Sequence, residues 1–132
     1  MANKGFLAGG VFDSLLMMRR STDGSLTTTG TCSGVTITGT PASGETVKVI
    51  VPAAVATTTL IVEVQVADTD ADGSYATIAQ SEVIGGGAVA AAVGEYDIRF
   101  ASRRTYARCK LSVAGTTPDF GAVEIGVVSG GF

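Results

Sequence analysis

Hydrophobic and polar residues alternate along most of this chain, and this period of two restricts the fold more than any other feature. In LIVEVQVA (60–67) the aliphatic residues fall on one face, with Glu63 and Gln65 on the other. Such alternation is typical of β-strands with one buried face, and no long segment has the period of a helix. The pattern predicts strands at 34–40, 46–51, 60–67, 74–80, 95–101, 106–115 and 122–128.

Segments rich in glycine, threonine and serine separate the predicted strands, as in TPASGE (40–45), DADGS (70–74) and AGTTPDFG (114–121). Seven or eight short strands with such turns, in a chain of 132 residues, indicate an all-β, single-domain antiparallel β-sandwich of the jelly-roll type. We expect residues 31–132 to form this sandwich. Residues 1–30 are either an N-terminal arm or a first strand.

Most predicted strands have one apolar face, whereas TVKVIV (46–51) is apolar on both sides. The stretch IGGGAVAAAVG (84–94) gives mixed signals, since alanine favours a helix and glycine opposes one. We expect a loop there with one helical turn. The side chains expected to point into the core are Leu60, Val62, Val64, Val66, Tyr96, Ile98, Phe100, Ala107, Cys109, Leu111, Val113, Val123, Ile125 and Val127.

The chain carries few charges for a protein that must stay in solution. Only 16% of its residues are charged, against about 25% in an average soluble domain, and its mean hydropathy is +0.39. The most apolar run (49–62) has 14 residues with a proline and three threonines, too short and too polar to span a membrane. The first 20 residues do not read as a signal peptide, because Asp13 interrupts the apolar part. We expect no membrane partner and a surface that is covered in an assembly.

Acidic and basic residues are segregated along the chain. Between Glu45 and Asp97 there are eight acids and a single base, Lys48, and five of the nine bases then fall within 99–110. Separated charges allow copies of a subunit to dock head-to-tail or on a larger partner, although solvated strand faces would give the same pattern. With an isoelectric point near 4.7, nucleic acid is not an expected partner.

The sequence offers no set of residues for catalysis. It has no histidine, the most common general base and metal ligand, and no glycine-rich phosphate loop between a strand and a helix. Its two cysteines, Cys32 and Cys109, are expected as reduced, buried thiols, with a disulfide between them as the alternative. We therefore expect no enzyme activity and no cofactor.

One stretch, DTDADGSYATIAQ (68–80), begins like a calcium-binding loop, with aspartates at the first, third and fifth positions and glycine at the sixth. Such a loop supplies a bidentate carboxylate at position 12, which is Ala79 here, and it lies between helices, whereas the flanks here are predicted strands. The sequence therefore predicts a hairpin turn with Gly73 at positive φ and no metal site.

Three stretches carry a resemblance to a known family: VEVQVADTDADGSYATIAQ, GEYDIRFA and RTYARCKLSVAGTTPDFGAVEIGVV. Their order resembles that of the jelly-roll decoration (cement) proteins of tailed-bacteriophage capsids, where an acidic hairpin precedes an aromatic-threonine strand. A basic strand then leads through a Gly-Thr loop to a valine-rich strand. The resemblance covers residues 45–132, with a looser match at FDSLLMM. The sequence departs from the family at Tyr75, where such acidic turns often have a tryptophan.

The resemblance implies a structural virion protein that binds the outer surface of a phage head and stabilises it. Its partners would be the major capsid protein and itself, as a homotrimer. It would lie on the capsid exterior of the virion and in the host cytoplasm during assembly. The family has no catalytic residues to carry over. The residues expected to contact the capsid or neighbouring subunits are Leu15, Leu16, Met17, Met18, Arg19 and Arg20 in the N-terminal segment, and Arg99, Arg103, Arg104 and Arg108 in the basic segment.

Two other functions remain open from the sequence. A carbohydrate-binding or tail-associated β-sandwich module would present exposed aromatic rings, but this chain has no tryptophan and most of its eight phenylalanines and tyrosines fall at inward positions. A tail or head–tail connector subunit has the same composition as a decoration protein, and ring-shaped particles would distinguish it from a trimer.

Overall fold

A computed structural model describes residues 16–37 and 45–128 of the chain. Between the strands of these ranges lie three single turns of 3-10 helix, at Ser21–Asp23, Asp72–Ser74 and Val89–Ala91. No helix within the described ranges is long and apolar enough to cross a membrane. The strands are β1 (Met17–Arg19), β2 (Gly30–Thr31), β3 (Val35–Thr36), β4 (Glu45–Val51), β5 (Thr59–Ala67), β6 (Ala76–Gln80), β7 (Ile84–Gly85), β8 (Gly94–Phe100), β9 (Tyr106–Ala114) and β10 (Glu124–Val128).

The strands form two antiparallel sheets packed face to face, as the sequence predicts. The first sheet has the order β1-β10-β4-β8, and the second has β2-β9-β5-β6, with β3 also on β9 and β7 also on β5. Because β2 and β3 share one partner, and β6 and β7 share another, the ten strands behave as eight. Counted as eight, the first strand pairs with the last, the second with the seventh, the third with the sixth and the fourth with the fifth. This nested pairing is that of a jelly roll.

The core lies between the two sheets and follows the alternation of the sequence. In β5 the residues Leu60, Val62 and Val64 are fully buried, and they pack with the buried residues of β9 beside them. The opposing sheet contributes Val47, Val49 and Val51 of β4 together with inward residues of β8 and β10. A strand with one face on the core needs apolar residues only at every second position. The alternation in the sequence therefore predicts which residues of each strand are buried.

Strand bounds differ from the predicted ones by one or two residues, except at 34–40, where β3 is shorter and residues 38–40 lie outside the described ranges. Residues 84–94 form β7, a loop and one 3-10 turn, close to the expected loop with one helical turn. Two inward residues, Tyr96 and Val113, pack against the core but are only partly buried. The Tyr96 hydroxyl donates a hydrogen bond of 2.6 Å to the carbonyl oxygen of Ala92, so its polar end stays at the edge.

The prediction for Gly73 is wrong. Gly73 lies inside the 3-10 turn Asp72–Ser74 and is not among the residues with positive φ, and an added Cβ would meet no atom within 4 Å. The 3-10 turn reverses the chain between β5 and β6 with ordinary right-handed backbone angles. Glycine is therefore not required at this position.

Candidate interaction surface

The sandwich has two ends, where loops connect its strands, and they differ in charge. At one end, the hairpin 68–75 between β5 and β6 meets the connection 101–105 between β8 and β9. At the other end lie the connections 20–29, 52–58, 81–93 and 115–123, and the first and last of these are joined by backbone hydrogen bonds between Leu26 and Phe120 and between Leu26 and Gly121. We call the first the charged end. At the second, we use the name uncharged end for the segments 52–59, 83–94 and 112–118, which contain no ionisable residue, although Arg20, Asp23, Glu82 and Asp119 lie in the adjoining connections.

At the charged end, each aspartate of the hairpin has its own partner. Asp68 forms an ion pair with Arg104, and Asp70 accepts a hydrogen bond of 2.6 Å from the Tyr75 hydroxyl. Asp72 pairs with Arg108 at 2.6 Å. No group of three or more metal-ligating side chains occurs in the part of the chain that the structure describes. The three carboxylates therefore fix a turn, and they do not converge on one point.

Arg108 connects this hairpin to the outer face of the second sheet. Its side chain is only 11% exposed, its Nε donates to Gln65 Oε1 at 2.9 Å, and its guanidinium lies 4.2 Å from the centroid of the Tyr75 ring. The network continues from Gln65 Nε2 to Thr77 Oγ1 at 3.1 Å and from Thr77 Oγ1 to Glu63 Oε1 at 2.9 Å. Burial, followed by the hydrogen bond to Asp70, raises the pKa of Tyr75. These side chains are engaged within the domain.

Lys48 is the other basic residue held inside the molecule. It lies on the outer face of the first sheet with a side chain only 7% exposed, and its Nζ is 3.1 Å from Asp97 Oδ1 and 3.4 Å from Glu95 Oε1. Burial alone would lower its pKa, but the hydrogen bonds and charges of Asp97 and Glu95 outweigh burial and raise the pKa. The two carboxylates compensate for the loss of water around the ammonium.

At the uncharged end, three segments that contain no ionisable residue come together, with Glu82, Glu95 and Asp119 at their borders. Residues 52–59, 83–94 and 112–118 contain no Asp, Glu, Lys or Arg. Their backbones are joined by hydrogen bonds from Gly86 N–H to the Thr58 carbonyl at 2.8 Å and from Thr57 N–H to the Gly87 carbonyl at 3.0 Å. The sheet register also places Ala114 and Gly85 on either side of Thr59.

Thr58 is the buried centre of this end. It is 1% exposed, and its hydroxyl donates 2.6 Å to the Val55 carbonyl. Two glycines approach it closely, because an added Cβ on Gly85 would lie 2.5 Å from the Thr58 carbonyl oxygen and one on Gly115 would lie 2.9 Å from its Cα. Both glycines have positive φ, at +92° and +113°. The three loops are therefore held in a defined shape by backbone contacts that only glycine allows.

The surface of the uncharged end is apolar. Val83, Val89 and Val93 are 58%, 41% and 42% exposed, and Ala88, Ala90 and Ala91 are exposed as well, whereas Ala92 is buried. The fourth exposed large aliphatic residue of the described chain, Ile78, is on the edge strand β6, where a β-bulge lies between its neighbours. Val89 and Val93 lie one turn apart, since the Val93 N–H donates to the Val89 carbonyl at 3.4 Å, and we treat their segment as the candidate interaction surface. The sequence indicated only an ambiguous loop at 84–94, because the two loops that lie beside it in the fold are distant from it in the chain.

The predicted contact residues of the N-terminal segment lie along one edge of the first sheet. Leu15 is outside the described residues, Leu16 packs against the core, and Met17–Arg19 forms β1, in which Met17 pairs with Gly126. Met18 is 2% exposed and belongs to the core, so it has no surface to offer a partner in this fold. Arg19 donates 2.8 Å to the Val123 carbonyl, and Arg20 is exposed.

The four predicted arginines of the basic segment separate into two pairs. Arg104 and Arg108 form the ion pairs with the hairpin described above. Arg99, on the outer face of β8, and Arg103, in the following loop, are exposed and form no ion pair within the described ranges. Of these four arginines, Arg99 and Arg103 have no partner among the described residues, so their guanidinium groups are available to another molecule.

Aromatic side chains do not form a stacking surface in the described residues. Phe100 and Phe120 are buried, and Tyr75, Tyr96 and Tyr106 are only partly exposed. Comparison with known proteins adds no relationship: no protein-family model matches the chain, and no curated protein sequence matches it.

Proposed function

We propose that this chain is a structural, non-enzymatic virion protein that binds the outer surface of a phage head and stabilises it. One observation carries the proposal: the segments of the uncharged end present exposed valines and alanines on loops fixed around Thr58, and charged residues occur only at their borders and in the adjoining connection 20–29. The jelly-roll topology and the resemblance to capsid decoration proteins support the same function.

The uncharged end is the surface that we assign to the shell. Burying the exposed part of one valine contributes about 1 kcal/mol, so the three valines would supply roughly 2–3 kcal/mol per copy. Such a contribution is modest for one contact. A multimer that touches several capsid subunits at once binds more tightly than one copy, because the first contact gives the second and third contacts a high effective concentration.

The charged end would then face solvent and keep the decorated particle soluble. Asp68 and Asp72 are neutralised by Arg104 and Arg108 inside the domain, and Asp70 accepts a hydrogen bond from Tyr75. Arg99 and Arg103 lie away from the uncharged end, and we assign them to contacts between neighbouring copies in the homotrimer. A carbohydrate-binding module is less well supported, because stacking on sugars needs exposed aromatic rings and the described residues present none.

The test is binding of purified protein to heads of its own phage that were assembled without this chain. The wild-type protein should co-sediment with the heads, and a Val89→Lys, Val93→Lys double variant should lose at least tenfold in affinity, because burying an unpaired ammonium is costly. Both positions are exposed, so folding should be unchanged and can be checked by circular dichroism.

The matched control is Ile78→Lys, which places the same charge at an equally exposed aliphatic position away from the uncharged end. This variant should bind like the wild type. Equal binding by the double variant would remove the uncharged end as the contact surface. Failure of the wild-type protein itself to bind the heads would contradict the proposed function.

A further inference from the structure

The two cysteines lie opposite each other on neighbouring strands. In the pairing of β2 with β9, Gly30 faces Leu111 and Thr31 faces Lys110, and the next step along this register places Cys32 opposite Cys109. The hydrogen bond of 2.8 Å from the Cys32 N–H to the Cys109 carbonyl agrees with that register. Two residues so distant in sequence are thus direct cross-strand neighbours.

Cross-strand neighbours have the separation that a disulfide requires. Directly opposed residues in an antiparallel pair have Cα atoms about 4.5–5.5 Å apart, and disulfides span Cα separations of about 4.4–6.8 Å. Opposed residues also point to the same face of the sheet. Cys109 is fully buried in the core, and Cys32 is packed against that core, so the two thiols lie on the same side.

The two thiols differ in their access from solvent. A cavity of about 300 Å³ opens between the edge strands β1 and β2, and its walls include Cys32, Met18 and Leu111. Cys109 does not line this cavity and is 0% exposed. A small reagent that enters this cavity therefore meets Cys32, whereas Cys109 is shielded from solvent in the core.

We propose that Cys32 and Cys109 are a dithiol pair that closes to a cross-strand disulfide by exchange with a low-molecular-weight disulfide. The Cys32 thiolate attacks one sulfur of the reagent, which forms a mixed disulfide at Cys32 and expels one reagent thiolate. The Cys109 thiolate then attacks Cys32 Sγ and expels the second reagent thiolate. The cysteines are oxidised, the reagent is reduced to two thiols, and the two cysteine protons pass to them through solvent.

The reaction should be slow at neutral pH and should accelerate with pH in a characteristic way. Burial raises the pKa of Cys32 to about 12 and the pKa of Cys109 well above its usual value. Only thiolates react, so the rate in the folded protein should rise about tenfold per pH unit past pH 9.

The experiment uses hydroxyethyl disulfide, a compact neutral reagent, with mass spectrometry of the folded protein. Wild-type protein should lose two hydrogens and carry no adduct. Cys109→Ala should stop at a stable mixed disulfide on Cys32, and Cys32→Ala should remain unmodified while folded. Peptide mapping of the oxidised wild-type protein, with and without reductant, tests the Cys32–Cys109 link without relying on either variant.

Two results would overturn the proposal. One is a wild-type protein that stops at the mixed disulfide, since Cys109 would then be out of reach of Cys32 Sγ. The other is an adduct on Cys109 in folded Cys32→Ala protein, since the assigned order of access would then be wrong. Neither result depends on whether the chain binds a phage head.

Discussion

Alanine substitution at two glycines should shift stability in opposite directions, because the two positions differ in backbone angle and in available space. Gly115, in the loop after β9, has a φ of +113°, and an added Cβ would lie 2.9 Å from Thr58 Cα and 3.0 Å from Thr58 Cγ2. Gly73, in the hairpin of the charged end, has no positive φ, and its added Cβ would meet nothing within 4 Å. The first change strains the fold, whereas the second only restricts the unfolded chain.

The magnitudes follow from these two geometries. A non-glycine residue at positive φ outside the usual region costs about 1–3 kcal/mol, and forcing a methyl group against backbone adds about 1–2 kcal/mol, so Gly115→Ala should destabilise by roughly 2–5 kcal/mol. Gly73→Ala should stabilise by about 0.4–1 kcal/mol. For a chain of 132 residues, 1 kcal/mol corresponds to about 3–4 °C in Tm.

Thermal and urea unfolding, followed by circular dichroism, measure both effects. Gly87→Ala is the matched control at the uncharged end, since Gly87 has open space and no positive φ. It should leave Tm unchanged or slightly raised. A neutral Gly115→Ala variant would refute the conclusion that the loops of the uncharged end are held against Thr58, and a destabilised Gly73→Ala variant would refute the 3-10 geometry of the hairpin.

Three further predictions concern charge and metal. Calcium or a chelator should leave Tm unchanged to within about 1 °C, because the hairpin aspartates bind protein groups; a clear rise with calcium would return that loop to consideration as a metal site. In urea unfolding, Arg108→Ala should destabilise the protein by about 1–3 kcal/mol, because the Arg108 side chain is largely buried and has several partners. Arg104→Ala should cost less than about 1 kcal/mol, because the Arg104–Asp68 pair is exposed. Equal losses of stability would contradict this ranking. The free energy of unfolding should decrease as the pH rises from 9.0 toward about 12, because folding raises the pKa of Cys32 and the thiol therefore ionises first in the unfolded chain. Over this range the midpoint of urea unfolding should fall less in the Cys32→Ala variant than in the wild type. An equal fall would contradict the raised pKa of Cys32.

The strands and their buried faces could be predicted from the sequence, because the alternation of apolar and polar residues within each strand identifies its buried face without knowledge of the other strands. Val62 and Val64 are buried for the same reason in any sandwich, since a period of two matches one face of a pleated strand. The angles at Gly73 could not be predicted, because both a two-residue turn and a 3-10 turn accept glycine after aspartate. The composition of the hairpin indicates that the chain turns there, and the contacts of Arg108 and Tyr75 settle how it turns.

The interaction surface lay beyond sequence reasoning for a different reason. Each of the segments 52–59, 83–94 and 112–118 is unremarkable alone, since a short uncharged loop is common in any β-protein. Their significance comes from nested strand pairing, which brings β5, β7 and β9 together at Thr59 and so gathers the three loops at one end. The sequence contains three separate segments without charged residues, but only the strand order shows that these segments lie together at one end of the sandwich.

This clustering also accounts for the low charge of the whole chain. If the missing charges were spread evenly, every face would be somewhat apolar and the molecule would associate without direction. Here the ion pairs of Arg104 and Arg108 and the exposed Arg99 and Arg103 lie at or near one end, whereas the exposed valines lie at the other, where the adjoining connections carry Arg20, Asp23, Glu82 and Asp119. Association through such a surface has a defined orientation, with the apolar loops buried and the charged hairpin in solvent. The orientation follows from the positions of Val89 and Arg104 at opposite ends of the same sandwich, and lysines at Val89 and Val93 test it directly.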